Sequence, residues 1–212
     1  MAALDLQEQE QLDALKAWWK ENGNYLLGAL LVAIVAMGGW RGWQYYQNQQ
    51  SSEAATLYAE FTRQMKSSDA KRVNDAAAMV MDKYAATGYG PRAALLAAQV
   101  NEQADEQARA KTQLHWVIDH AEEAGLKDVA RLRLAAVLLD EKNYDNALQL
   151  LEAKHPSSFD GLYADLKGDV LSAQGKNGEA ISAYKLAYEK TDAKSAYRNM
   201  IEMKMDALGE IK

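Results

Sequence analysis

Leu132-Arg-Leu-Ala-Ala-Val-Leu-Leu-Asp-Glu-Lys-Asn-Tyr-Asp-Asn-Ala-Leu-Gln-Leu-Leu151 decides the fold of this chain. An apolar run of helical composition meets a polar break, Asp140-Glu-Lys-Asn143, and a second apolar run follows. Ala135 and Ala147 lie twelve residues apart across the break, and Leu151 comes four later. Gly168 and Ala180 repeat the twelve-residue spacing, with Tyr184 four later and Ala187 three beyond that. Their break is Gly175-Lys-Asn-Gly178, and the second set is offset from the first by 33 residues. Upstream, Ala98, Ala110 and Leu114 carry the same spacing at an offset of 37, with Ala121-Glu-Glu-Ala-Gly125 absorbing the extra length. Small residues are needed where two helices of one unit cross closely. Large ones such as Leu138, Leu151, Leu171 and Tyr184 fill the space between units.

The spacing resembles the tetratricopeptide pattern, a helix-turn-helix unit of about 34 residues. It departs from that pattern in three ways: the early tryptophan is absent, Lys154 stands where a small residue is usual, and the proline is missing or displaced. An unrelated array of helical hairpins with alanine-rich crossings fits the same spacing. Ahead of the repeats, Ser51 or Ser52 before Glu53 starts a segment through Leu57, Tyr58, Phe61 and Met65. Asp69–Tyr84 supplies another, with Val73, Ala76, Ala77, Val80 and Tyr84 on one face. In Thr87-Gly-Tyr-Gly-Pro91, Gly88 suits a C-cap and Pro91 a first helical turn. Ser195–Leu208, with Tyr197, Ile201, Met205 and Leu208 on one stripe, reads as the closing helix. No stretch alternates with period two, so the expected class is all-α: one N-terminal transmembrane helix, then a tetratricopeptide-like domain. Carried through the repeat register, a concave partner groove on the first helices of successive units would be lined by Gln99, Leu132, Ala136, Leu139, Asp165, Asp169 and Ser172.

The membrane segment is centred on Tyr25-Leu-Leu-Gly-Ala-Leu-Leu-Val-Ala-Ile-Val-Ala-Met-Gly-Gly-Trp40, which holds no charge. A helix continuing to Tyr45 or Tyr46 crosses a hydrocarbon core of roughly 30 Å. Trp18, Trp19 and Tyr25 flank one end, and Trp40, Trp43, Tyr45 and Tyr46 the other, as interfacial belts do. Arg41 has a stem long enough to snorkel. The first 21 residues carry Asp5, Glu8, Glu10, Asp13 and Glu21 against Lys16 and Lys20. That is not the basic start of a cleaved signal, and bulky Trp40 closes the run, so a retained anchor is expected. Lys16 and Lys20 precede the span, and after Arg41 the next basic residue is Arg63, which favours a cytoplasmic N-terminus. Leu4, Leu12, Leu15, Trp18 and Trp19 recur at helical spacing. They fit either a surface-lying amphipathic helix or a poorly ordered tail whose tryptophans anchor the span. Gly38 and Gly42 form a small-xxx-small pair for helix packing in the membrane, and Ala29 and Ala33 form another. The expected division is 1–21, 22–46 and 47–212, with Gln44–Ser52 as a short polar connector.

Of the 212 residues, 49% are hydrophobic, enough for a sizeable core, and the formal charge of −6 opposes binding to a phosphate backbone. There is no cysteine, which removes disulfides, thiolate metal sites and thiol nucleophiles. His115 and His120 are five apart, off a common helix face, and His155 stands alone. Gly175 and Gly178 lie in a helical turn, not a phosphate loop. Glu122 and Glu123 read as solvated loop acids, and Met200, Met203 and Met205 as packing of the closing helix. No catalytic residue, cofactor, metal, nucleic acid or small-molecule substrate is expected.

Glu21-Asn-Gly23, Gly39-Trp-Arg41, Tyr89-Gly90, Leu132-Arg-Leu-Ala135, Ala164-Asp-Leu-Lys-Gly168, Met203-Lys-Met205 and Leu208, in this order around one anchor, carry a resemblance over essentially the whole chain. The sequence resembles the YfgM family of bacterial inner-membrane proteins, ancillary subunits of the SecYEG translocon. The resemblance implies a single-pass inner-membrane protein with a cytoplasmic N-terminus and a periplasmic C-terminal domain. It also implies an adaptor that associates with SecYEG and with the periplasmic chaperone PpiD, and no enzyme. A scaffold of another envelope assembly is the alternative, since the fold alone does not choose a partner.

Overall fold

The computed structural model describes residues 2–65 and 69–209, with the side chains of the first helix described from Glu8 onward, so the expectation for Leu4 lies outside them. Among the described residues there is no strand. The helices are α1 (Ala2–Gln64), α2 (Ala70–Tyr84), α3 (Tyr89–Gln103), α4 (Gln107–His120), α5 (Ala124–Asp140), α6 (Tyr144–Leu151), α7 (Asp160–Ala173), α8 (Asn177–Lys190) and α9 (Tyr197–Ala207). The chain divides into two compact units, 1–49 and 50–212.

The connector expected at Gln44–Ser52 is not a break, and no helix starts at Ser51 or Ser52. Instead, α1 runs through both. The reason is local. From Trp43 to Gln64 there is neither glycine nor proline, and glutamine, glutamate and alanine favour a helix.

In the first unit, Leu30, Leu31, Val32, Ile34 and Val35 are each more than half exposed. Consecutive residues cover every face of a helix, so this stretch is apolar all round, as a membrane-spanning helix requires. Trp19 folds onto Gly23, where an added Cβ would meet the indole at 3.1 Å. Gly38 and Gly42 have open space beside them.

The second unit is built on the repeat. Ala98, Ala110 and Leu114 are fully buried between α3 and α4, as are Ala135 and Ala147 between α5 and α6. Ala180 and Ala187 bury fully and Tyr184 nearly so on α8, against Gly168 of α7. Each pair turns in the same way. Asp105, Lys142 and Gly175 have φ of 60°, 61° and 75°, and each stands seven residues after the first small residue of its unit. The following amide donates back five residues: Glu106 N to Asn101 O (2.8 Å), Asn143 N to Leu138 O (2.8 Å) and Lys176 N to Leu171 O (2.9 Å). This is the Schellman closure, in which a left-handed residue lets the last carbonyls find donors. Of the three units, only the third uses glycine there.

Lys154 is also accounted for: α6 ends at Leu151, so position 154 lies in the exposed loop beyond the helix and needs no small side chain. Gly88 does not cap α2. Its φ of −62° is right-handed, and it precedes the first residue of α3. Asp69 caps α2 by accepting from the amides of Lys71 and Arg72. The glycine that matters in this turn is Gly90, where a Cβ would press on the Tyr84 carbonyl oxygen at 2.9 Å.

Among the described residues, three apolar clusters run along the array. Phe61, Val73, Ala77, Val80, Ala93 and Ala97 join the end of α1 to α2 and α3. A central cluster from Ala94 to Val170 includes Leu114, Leu134, Leu138 and Leu151. Ala164, Leu171, Ala183, Tyr184 and Ile201 form the last, with Tyr197, Met205 and Leu208 packed against it. The closing-helix stripe is therefore as expected, but the methionines are not. Met205 packs, whereas Met200 and Met203 are exposed.

Candidate interaction surface

The expected groove residues divide between open and occupied positions. Gln99 is exposed on α3. Leu132 and Leu139 are half-buried on α5 and pack against the central cluster, and Ala136, one turn along, is half-buried too. On α7, Asp165 is buried, and Asp169 and Ser172 are half-buried.

Asp165 and Asp169, one helical turn apart, hold α9. Lys204 Nζ donates to a carboxylate oxygen of each at 2.8 Å. The Tyr197 hydroxyl donates to Asp165 Oδ2, and that of Tyr184 to Asp169 Oδ1 at 2.8 Å. Burial and then the accepting carboxylates raise the pKa of both tyrosines, so each stays a neutral donor. Burial pulls Lys204 down, but Asp165 and Asp169 together outweigh it, and the ammonium is held above its ordinary value. Asp165 Oδ1 is buried and has no hydrogen-bond partner.

Other polar contacts stitch successive units one repeat apart. Arg133 reaches Glu102 at 2.8 Å and the Leu95 carbonyl at 3.0 Å. Lys111 meets Glu141 at 2.6 Å. Arg92 forks onto Glu123 at 2.8 and 2.9 Å, so Glu123 is paired and not merely solvated. Asn74, Asn101 and Gln113 form a closed ring of amides at 2.7–2.9 Å, with Asn101 fully buried. Sequence reasoning missed these pairs. Their one available signal was a separation of 30 or 31 residues between opposite charges (92/123, 102/133, 111/141), which is close to the repeat length.

His120 stacks on Trp116 with centroids 4.3 Å apart, and His155 stacks on Tyr163 at 3.9 Å. Both rings act as packing surfaces. Among the described residues, no group of three His, Cys, Asp or Glu side chains is placed to hold a metal ion.

The second unit thus defines a class: a tetratricopeptide-like helical-repeat protein. Among the described residues, α1 is the one helix long and apolar enough to cross a membrane, which points to a membrane anchor. The family described as "Tetratricopeptide repeat-like domain" matches residues 16–210. The chain is 32% identical over 207 residues to a Neisseria gonorrhoeae protein named "Ancillary SecYEG translocon subunit", covering 97% of this chain and 99% of that one. It is 31% identical over 204 residues to the Escherichia coli protein of the same name, covering 95% and 96%. The Haemophilus influenzae relative, again so named, is 27% identical over 207 residues, covering 97% and 100%. The chain belongs to the YfgM family of ancillary SecYEG translocon subunits. No solved structure matches it significantly.

Proposed function

We propose that this chain is a single-pass, non-catalytic adaptor of the Sec translocon that links protein export to periplasmic chaperones of the PpiD type. Residues 1–21 lie in the cytoplasm, 22–46 span the inner membrane and 47–212 form the exported repeat domain. The observation that carries this reading is the pairing of a helix apolar on every face with a repeat array one end of which, α9, is sealed by its own hydrogen bonds. A lipid-facing helix fixes the domain to the membrane, and helical repeats present an extended surface made of successive first helices. Gln99, Leu132, Ala136 and Leu139 are the part of that surface offered to a partner. Asp165, Asp169 and Ser172 continue the same register towards α9. Gly38 and Gly42 give the span a surface for close helix packing within the membrane.

The direction of insertion is supported by Lys16 and Lys20 before the span, against a stretch without basic residues from Gly42 to Thr62 after it. The experiment is purification of the intact chain from membranes in a mild detergent, with a reporter fused after Gly209 to read topology. Translocon subunits and a membrane-anchored chaperone should co-purify, and the reporter should be active only on the exported side. Recovery of a different envelope complex in their place would overturn the assignment.

A further inference from the structure

We infer that the face of α7 and α8 beneath α9 is a socket for an amphipathic helix from a partner protein, with α9 as its built-in and displaceable occupant. Its floor is apolar, made of Ala164, Leu171, Ala183 and Tyr184, and two carboxylates on one turn of α7 stand at its edge. The occupant shows what fits. Tyr197 and Ile201 are four residues apart, Lys204 follows three later, and Leu208 closes the stripe, so the socket takes an aromatic–aliphatic–cation pattern on one helix face.

Charge complementarity selects the partner. The socket presents two carboxylates, and α9 brings one cation to them, Lys204, because its other cation, Arg198, lies over the ring of Tyr188 on α8. Lys204 gives one bond to each acid, and Asp165 Oδ1, on a residue 3% exposed, stays buried without a donor. An unmet buried acceptor disfavours the bound state. A guanidinium, with five donors in a planar fork, serves both carboxylates and the leftover oxygen, so a helix with arginine at the Lys204 position is the better ligand. The outer face of α9 remains exposed at Met200 and Met203, so apolar contact holds this helix on one side only. A short helix fixed on one face opens more readily than the core of the array. This socket lies at the end of the array, whatever the translocon meets elsewhere on the chain.

The test uses the full chain in detergent and a fluorescent peptide spanning Ser195–Gly209, in the native form and with Lys204→Arg. Lys204→Ala in the chain weakens α9, and Tyr197→Phe, which keeps the ring and removes one hydrogen bond, is the second and milder variant. Both variants should capture the Lys204→Arg peptide at least tenfold more tightly than the unaltered chain does, and the native peptide less tightly than the Lys204→Arg form. Amides of Ile201–Met205 should exchange faster in the variants. Adding Asp165→Asn with Asp169→Asn should abolish capture. Failure of both folded variants to gain peptide binding would overturn the socket, as would capture that survives loss of both carboxylates. Dimerisation of the variants without peptide capture would assign the socket to a second copy of this chain and overturn the partner helix.

Discussion

The ring of Tyr184 occupies the space in which a side chain on Gly168 would begin, so that a Cβ there would fall inside the van der Waals envelope of the ring. Glycine at 168 is therefore a packing requirement of the α7–α8 crossing, in a helix whose interior otherwise disfavours it. The phenol that fills this space also reaches Asp169, which joins the crossing to the hydrogen bonds that hold α9.

Gly168→Ala should destabilise the repeat domain by about 2 kcal/mol, within the range for overpacking a tight core. Gly168→Val should prevent a cooperative transition. Urea unfolding of the intact chain in detergent, followed by circular dichroism, checks both. Tyr184→Leu should restore part of the loss in the alanine variant by vacating the space.

The left-handed turn positions behave differently from one another. Lys142 holds φ of 61° with a side chain, and Gly175 holds 75° without one. A left-handed L-residue costs about 1 kcal/mol. Lys142→Gly should therefore stabilise the domain by about that amount, and Gly175→Ala should destabilise it similarly. The same unfolding measurement reads both, with opposite signs.

Loss of the buried amide ring should be costly. Asn101→Leu leaves Asn74 and Gln113 without their partner at a fully buried position, a loss of about 2–3 kcal/mol. Replacing the three amides together by leucine should cost less than the sum of the single changes. A set of single, double and triple variants measures the coupling.

Alkaline pH should loosen the closing helix. Tyr184 and Tyr197 have pKa values raised by burial and by the carboxylates they serve, and Lys204 is raised too. A group whose folded value lies above its unfolded value gives stability that is fully present below the unfolded pKa. That stability declines as pH rises past it, here from about 10 upward. Urea midpoints between about pH 8 and 11 should fall with pH, and the fall should be shallower in Tyr184→Phe and in Tyr197→Phe.

Much of this architecture can be read from residue spacing. The sets at 98, 135 and 168 fix three helix pairs because a close crossing tolerates only small residues, and that demand leaves a periodic mark. The continuity of α1 was hidden because Gln44–Ser52 is polar, and polarity indicates solvent exposure as readily as a break. Absence of glycine and proline was the better guide. Met200 and Met203 share composition with Met205, but only the backbone shows which face meets α8. The acidic pair on α7 falls in register with Leu132 and Ala136, which assigns these positions to the face expected to form a partner groove. It does not say that the next unit brings Lys204, 35 and 39 residues on. A pairing between elements so distant in sequence needs the packed array to be seen.

The most direct test of translocon association is site-specific photocrosslinking in intact membranes. One probe goes at Gln99, an exposed position of the expected groove, and another at Val35 within the span, with Gly38 and Gly42 left unaltered. An adaptor of the Sec translocon predicts crosslinks from Val35 to a translocon subunit and from Gln99 to an exported-side partner. The partner crosslink should vanish when the probe moves from Gln99 to fully buried Leu134. Crosslinks from both sites to an unrelated envelope complex, with no translocon subunit captured, would contradict the account.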